Sequence, residues 1–121
     1  MPLIIETAGG LMVPLNRKLL QIDQIQSWGI PIILVAKSGL GTLNHTLLSI
    51  EALNKRGIPI IGLVLNGPLH EDNPRTLEQI GNVPIIAQLP HFKSLSAQKL
   101  SDEWLKQDIG TKLKILTKEY F

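Results

Sequence analysis

The stretch from Pro31 to Thr46 constrains the fold of this chain more than any other. It reads Pro-Ile-Ile-Leu-Val-Ala-Lys-Ser-Gly-Leu-Gly-Thr-Leu-Asn-His-Thr. Its apolar, β-branched beginning, Pro31–Ala36, is typical of a strand buried on both faces of a parallel sheet. Gly39 and Gly41 then predict a tight turn, because glycine adopts backbone angles that other residues avoid.

A helix is predicted to follow this turn. Thr42 is its candidate N-cap, and the helix runs to about Arg56 and ends at Gly57. Its apolar face is predicted to pack on the sheet through Leu43, Leu47, Ile50 and Leu53. The free amides and the positive dipole end of a helix that starts after a glycine turn form a natural anion site. We therefore predict that an anionic ligand group binds here; the alternative is a tight turn without a ligand.

The rest of the chain repeats the strand and helix pattern. Three further apolar runs are interpreted as strands: Leu3–Ile5, Ile58–Leu65 and Val83–Gln88. Further helices are predicted at Arg17–Trp28 with Asn16 as N-cap, Pro74–Ile80 with Asn73 as N-cap, about 95–107, and from Ile109 onward. The alternation predicts an α/β fold, with a mostly parallel sheet flanked by helices. We expect a single domain over residues 1–121.

Composition excludes several classes of protein. The chain has 121 residues, of which 44% are hydrophobic and 18% charged, as in ordinary folded domains. A net charge of +2 without a Lys/Arg cluster argues against a nucleic-acid partner. The absence of cysteine excludes disulfides, cysteine zinc sites and thiol chemistry. No apolar run approaches the roughly 20 residues that cross a membrane, and no signal peptide is recognisable, so the expected location is the cytoplasm.

Ligands of open parallel sheets bind at the carboxyl ends of the strands, which makes the residues there the site candidates. Glu6 follows the first run beside two glycines; its carboxylate either binds Mg²⁺ or is a solvated loop residue. Asn66 offers both a donor and an acceptor to the edge of a base such as adenine, or simply belongs to an Asn-Gly-Pro turn. Pro90 is either a strand stop or the flat apolar wall of a pocket.

The glycine turn is not a complete dinucleotide fingerprint. Asn44 stands where the third glycine belongs, and Asn66 ends the next strand in place of the acid that binds a ribose. Both departures argue against an NAD-binding module. His45 lies away from the apolar face of its helix without an orienting carboxylate, which favours a surface or interface histidine over a general base. His70 and His91 have no partners at metal-ligand spacing, so neither is assigned to a metal.

Together these segments resemble the C-terminal half of the dethiobiotin synthetases. The matching segments are Ile5–Leu15, Trp28, Pro31–Ala36, Leu40–Leu48, Glu51–Leu53, Arg56-Gly57, Gly62–Asn66 and Leu89-Pro90. They occur in the order and spacing of the family over roughly Ile4 to Pro90, and Leu40-Gly-Thr-Leu-Asn-His-Thr46 is the most specific. The resemblance implies a partial P-loop NTPase-like fold.

The resemblance also implies an ATP- and Mg²⁺-dependent ligase of biotin biosynthesis that forms carbon–nitrogen bonds. In this family one amine of 7,8-diaminononanoate takes up CO₂ as a carbamate, ATP phosphorylates the carbamate, and the second amine displaces phosphate to close a ureido ring. The implied ligands are therefore ATP, Mg²⁺, 7,8-diaminononanoate and CO₂. The implied assembly is a homodimer.

Residue roles follow from the same resemblance. Glu6 matches the Mg²⁺-binding glutamate, and no catalytic residue is assigned. The nucleotide-binding positions are Glu6, Thr7, Ala8, Gly9, Asn66, Gly67, Pro90, His91 and Phe92, of which the last five contact or line the pocket for adenine. The positions that bind the carboxylate of the substrate, across a homodimer interface, are Gly41, Thr42, Leu43 and Asn44.

The chain departs from the family in two respects. Thr7 replaces a common glycine, which is a mild change. The sequence also lacks G-x-x-x-x-G-K-[ST] and the rest of the half that binds the phosphates. We therefore expect the chain to be inactive alone, and to form a dimer or a complex with the missing half, because the lost strands leave apolar surface exposed. The alternative is a non-catalytic binding or assembly module built on the same half-sheet.

Overall fold

Helices and strands alternate around a three-stranded parallel sheet. The structure, a computed structural model, describes residues 3–121; residues 1 and 2 of the predicted domain lie outside the described residues. The strands β1 (Ile32–Lys37), β2 (Ile60–Asn66) and β3 (Ile85–Leu89) lie in that order. The helices are α1 (Gln21–Trp28), α2 (Thr42–Lys55), α3 (Asn73–Gly81), α4 (Ala97–Lys106) and α5 (Ile109–Thr117). The predicted α/β class, with a parallel sheet flanked by helices, is confirmed. Among the described residues, each helix is too short or too polar to cross a membrane.

Apolar side chains hold the helices against the sheet in three clusters. The cluster beneath α2 and α3 contains Ala36, Ile50, Leu63, Leu65, Leu77 and Val83. The cluster beneath α1 contains Ile22, Ile25, Leu53 and Ile58. On the opposite face of the sheet, α5 covers β2 and β3 through Ile61, Ile86, Ala87 and Ile109. Burial of these side chains is the main contribution to the stability of the sheet.

Glycines at positive φ bound α2 at both ends. Gly41 has φ +86° at the N-cap, and Gly57, just beyond the C-cap, has φ +66°. Thr42 is therefore the first residue of the helix, and the prediction that it is the N-cap was wrong by one residue. Its hydroxyl lies 3.1 Å from the hydroxyl of Thr46, inside the protein.

The prediction of a strand at Leu3–Ile5 was wrong. These residues form no regular structure, and 84% of Leu3 and 88% of Ile4 is exposed. An apolar run becomes a strand only where its backbone groups find a neighbouring strand. Among residues 3–121, none of the three strands pairs with this segment.

The prediction that β1 is buried on both faces was also wrong. Its burial alternates, and the exposed fractions are 41% for Ile33 and 63% for Val35. The reason is that β1 is an outer strand of the sheet, while α5 covers only β2 and β3. An apolar face of the sheet is thus left open.

Two helix starts also differ from prediction. The first helix begins at Gln21, where the carboxylate of Asp23 accepts the amide of Leu20 at 2.9 Å. Asn16 instead accepts the amide of Lys18 in the preceding loop. The α3 helix begins at Asn73, so its N-cap is Asp72 rather than Asn73.

The two outer edges of the sheet differ in chemistry. Along β3, the side-chain amide of Gln107 makes two hydrogen bonds of 2.8 Å with the backbone of Gln88, and Glu78 accepts the amide of Ile85 at 3.0 Å. Side chains therefore occupy this edge in place of another strand.

The edge of β1 carries no such partners. Ile32 and Ser38 donate their amides toward β2, so the alternating residues Ile33, Val35 and Lys37 direct their backbone groups outward. Within residues 3–121 no group bonds to them on that side. This edge remains open for pairing.

Candidate functional site

The carboxyl ends of the three strands lie side by side. Lys37 is in register with Asn66, and Asn66 with Leu89. The amide of Ser38 donates to the carbonyl of Asn66, and the amide of Gly67 to that of Leu89, each at 3.0 Å. The segments that follow the strands therefore start from one hydrogen-bonded line, as expected for the ligand-binding edge of a parallel sheet.

The start of α2 presents free backbone amides at this edge. The amides of Thr42 and His45 are satisfied by the carbonyls of Gly39 and Gly41, at 3.1 and 3.0 Å. Those of Leu43 and Asn44 have no acceptor within residues 3–121. Gly41 and Asn44 are exposed, Leu43 is half-buried and Thr42 is buried. We refer to Gly41–Asn44 as the acid cradle, because its free amides and the helix dipole favour an anion.

Residues from the ends of β2 and β3 form a second group. Asn66 is exposed, and Gly67 turns the chain with φ +127°. Pro90 and Phe92 are half-buried and His91 is exposed. We call Asn66-Gly67 the base loop, since an exposed amide side chain beside half-buried flat groups is suited to contact a planar base.

The Glu6–Gly9 segment lies in a separate loop. The side-chain amide of Gln21, itself 5% exposed, donates to the carbonyls of Gly9 and Gly10, both at 3.0 Å. Glu6 is exposed and makes no hydrogen bond or ion pair within the described part of the chain. No hydrogen bond in residues 3–121 joins this loop to the acid cradle or the base loop.

A metal would depend on Glu6 together with groups from outside these residues. The described residues hold no cluster of three or more His, Cys, Asp or Glu side chains. A single accessible carboxylate fits Mg²⁺, which keeps several waters and binds one or two carboxylates plus substrate phosphates. The donor set is therefore compatible with one ligand of a Mg²⁺ site.

Sequence reasoning missed the side chains that hold these loops in place. Gln21 anchors the first loop, Ser38 donates its hydroxyl to the carbonyl of Pro68, and His70 accepts amides at the start of α3. The only local signal was the position of Ser38 directly after a strand. Gln21 and Ser38 bond to residues 11 to 30 positions away, so the pairing is not visible in a local pattern.

Comparison with known proteins identifies the family. A family model described as an AAA domain matches residues 1–99, which include every candidate site residue. The chain belongs to the AAA domain family. This AAA domain is 48% identical over 106 residues to the biotin biosynthesis bifunctional protein BioCD of Bordetella avium, covering 88% of the chain and 23% of that protein.

Relatives named as dethiobiotin synthetases give the same result. The AAA domain is 48% identical over 100 residues to the ATP-dependent dethiobiotin synthetase BioD of Brucella ovis, covering 83% of the chain and 47% of that protein. It is 39% identical over 100 residues to the BioD of Paramagnetospirillum magneticum, covering 83% of the chain and 49% of that protein. The resemblance to dethiobiotin synthetases is confirmed, and the chain spans about half the length of these BioD relatives.

Proposed function

We propose that this chain is the substrate- and base-binding half of an ATP-dependent dethiobiotin synthetase, folded as one domain and located in the cytoplasm. The observation that carries the proposal is the 48% identity to a synthetase of that name over 83% of the chain. The reaction is the closure of a ureido ring on 7,8-diaminononanoate, with CO₂ as the carbon source and ATP as the phosphoryl donor.

The acid cradle holds the carboxylate tail of the substrate in this proposal. Gly41, Thr42, Leu43 and Asn44 form it. The free amides of Leu43 and Asn44 are hydrogen-bond donors that cost nothing to expose to a ligand, because the helix itself does not use them. A carboxylate fits the positive end of the helix dipole better than a neutral tail does.

In this proposal the nucleotide contacts the group at the ends of β2 and β3 and the Glu6–Gly9 segment. Asn66 and Gly67 contact adenine, and Pro90, His91 and Phe92 line its pocket. Glu6 supplies one carboxylate to Mg²⁺, while Thr7, Ala8 and Gly9 pass close to the nucleotide and the substrate. Mg²⁺ supplies charge neutralisation at the phosphates when bound. Because the sequence lacks a phosphate-binding loop with its lysine, the chain alone is inactive.

The partner is a polypeptide with the half that the relatives have in addition. The open edge and exposed apolar face of β1 support this, since the opposite edge of the sheet is occupied by Gln107. Beside β1 there is an open hollow of about 180 Å³, lined by Leu34, Leu40, Thr46 and other residues. A further strand along β1 covers this surface, and the completed enzyme is a homodimer as in the family.

Titration of the ¹⁵N-labelled chain with 7,8-diaminononanoate and with its methyl ester tests the acid cradle. We expect the acid to shift the amide resonances of Leu43 and Asn44, and the uncharged ester to bind at least about tenfold more weakly. Gly41→Ala should reduce acid binding by a similar factor, because alanine at φ +86° displaces the turn that presents the amides.

Gly57→Ala is the matched control. It places alanine at φ +66° at the other end of the same helix, so the strain is similar, of about 1 kcal/mol, but the cradle is intact. Equal binding of acid and ester contradicts the acid cradle. Absence of binding of both the acid and ATP–Mg²⁺ favours a non-catalytic assembly module instead.

A further inference from the structure

Ser38 connects the ends of two strands from a buried position. It directly follows β1 and is 7% exposed. Its hydroxyl donates to the carbonyl of Pro68 at 2.5 Å, while its amide donates to the carbonyl of Asn66 at 3.0 Å. Ser38 therefore bonds to the residue on each side of Gly67, and the bond to Pro68 spans 30 positions of sequence.

The contact also determines which residue fits in the base loop. A Cβ atom on Gly67 would lie 3.1 Å from the hydroxyl oxygen of Ser38, and the φ of Gly67 is +127°. Glycine thus allows the loop to pass close over Ser38. The hydroxyl needs this partner, because a buried donor without an acceptor is destabilising.

Ser38 precedes both candidate ligand groups in the sequence and bonds to the second of them through its backbone amide. The acid cradle begins three positions later, at Gly41, and the base loop lies directly above the Ser38 hydroxyl. The base loop has a second restraint on its other side, where Gly67 donates to Leu89. Without the hydroxyl of Ser38, the Pro68 carbonyl loses its bond, and this side of the loop keeps only the bond from the Ser38 amide to the Asn66 carbonyl.

We propose that Ser38 is a positioning residue that holds Asn66-Gly67 in the conformation that binds the nucleotide base. Its hydroxyl is occupied by the Pro68 carbonyl, and its bonds tie the base loop to the turn that carries the acid cradle. This inference rests on the proposed function, because it assumes that the base loop contacts adenine.

Two measurements on the chain test the role of Ser38. The first is the exchange rate of the Gly67 amide with solvent: Ser38→Ala should accelerate it about tenfold or more, since the loop opens more easily once the Pro68 bond is lost. The second is the affinity for adenosine, which carries the base without phosphates. Ser38→Ala should weaken it at least about fivefold, while binding of 7,8-diaminononanoate changes less than about twofold.

Ser38→Thr is the conservative control, since threonine keeps the hydroxyl; it should restore both the exchange rate and the adenosine affinity. Equal adenosine affinity in wild type and Ser38→Ala, or an unchanged Gly67 exchange rate, overturns the positioning role alone. A general loss of both ligands together with a large drop in melting temperature shows a structural role and also overturns it. A wild-type chain that binds no adenosine contradicts the base loop of the proposed function, and the positioning role with it.

Discussion

A single histidine ring caps the start of α3. The Nδ1 atom of His70 accepts the backbone amides of Asp72 and Asn73, at 3.2 and 3.1 Å. The side chain of Asp72, the N-cap residue, makes no capping bond of its own. His70 thus satisfies two of the amides that a helix start leaves without partners, and it does so immediately after the base loop.

Replacing His70 by alanine should therefore destabilise the chain by about 1 kcal/mol, as the loss of a cap usually does. Asparagine, which offers a side-chain acceptor, should restore part of the loss. Urea unfolding followed by circular dichroism measures the change in the free energy of unfolding.

His91→Ala is the control for this prediction, because His91 is exposed and has no hydrogen bond in the described part of the chain. Its stability should stay within about 0.5 kcal/mol of wild type. If His70→Ala also leaves the stability unchanged, the cap contributes nothing to the stability in solution.

At the scale of elements, Gln107 takes the place of a strand along β3. Its side chain both donates to and accepts from the backbone of Gln88, and donates to Glu103, all at 2.8 Å. Gln107→Leu should destabilise the chain by about 1–3 kcal/mol, because it leaves the backbone groups of Gln88 without partners. The freed edge should also promote concentration-dependent association, measurable by light scattering.

Gln98→Leu is the matched substitution in α4. The side chain of Gln98 is exposed and bonds to Asp102 within the same helix at 2.8 Å, so its loss opens no strand edge. An unchanged stability and association state in Gln107→Leu would show that the edge of β3 needs no protection.

The helices and strands that were predicted correctly are bounded by glycine or proline and carry a regular apolar pattern. The helix that starts after Gly41 and ends before Gly57 is the best example, and the strand ends were also found within one or two residues. The segment Leu3–Ile5 was mispredicted because an apolar run carries no information about whether a neighbouring strand is present. The prediction that β1 is buried on both faces was wrong for the same reason.

The candidate site was likewise predicted from the sequence only in part. The positions of the acid cradle and the base loop follow from strand ends, which a sequence pattern locates. The hydrogen bonds of Ser38, His70 and Gln107 do not follow, because each joins a side chain to backbone groups whose placement depends on the folded chain. Polar residues that look like loop or surface residues in the sequence thus hold the site together.

At the scale of the whole molecule, the two sides of the sheet differ in how much of their edge and face other residues cover. The β3 side has its edge occupied by side chains and its face covered by α5. The β1 side has an open edge and the exposed side chains of Ile33 and Val35. Such asymmetry is typical of an interaction surface rather than of a free edge, which folded proteins usually protect.

Val35→Lys tests whether this side binds the half that the relatives have in addition. The exposed fraction of Val35 is 63%, so lysine is accommodated in the free chain, and the melting temperature should change little. In a complex that covers β1, the same charge loses its water, which should weaken association with the phosphate-binding half of a relative by about tenfold or more. Co-expression followed by light scattering and calorimetry measures both quantities.

Ile115→Lys is the control, since Ile115 is 68% exposed but lies on α5, away from β1. A complex that forms equally well with both variants would mean that the partner covers some other surface, and β1 would then be an edge that this protein leaves open.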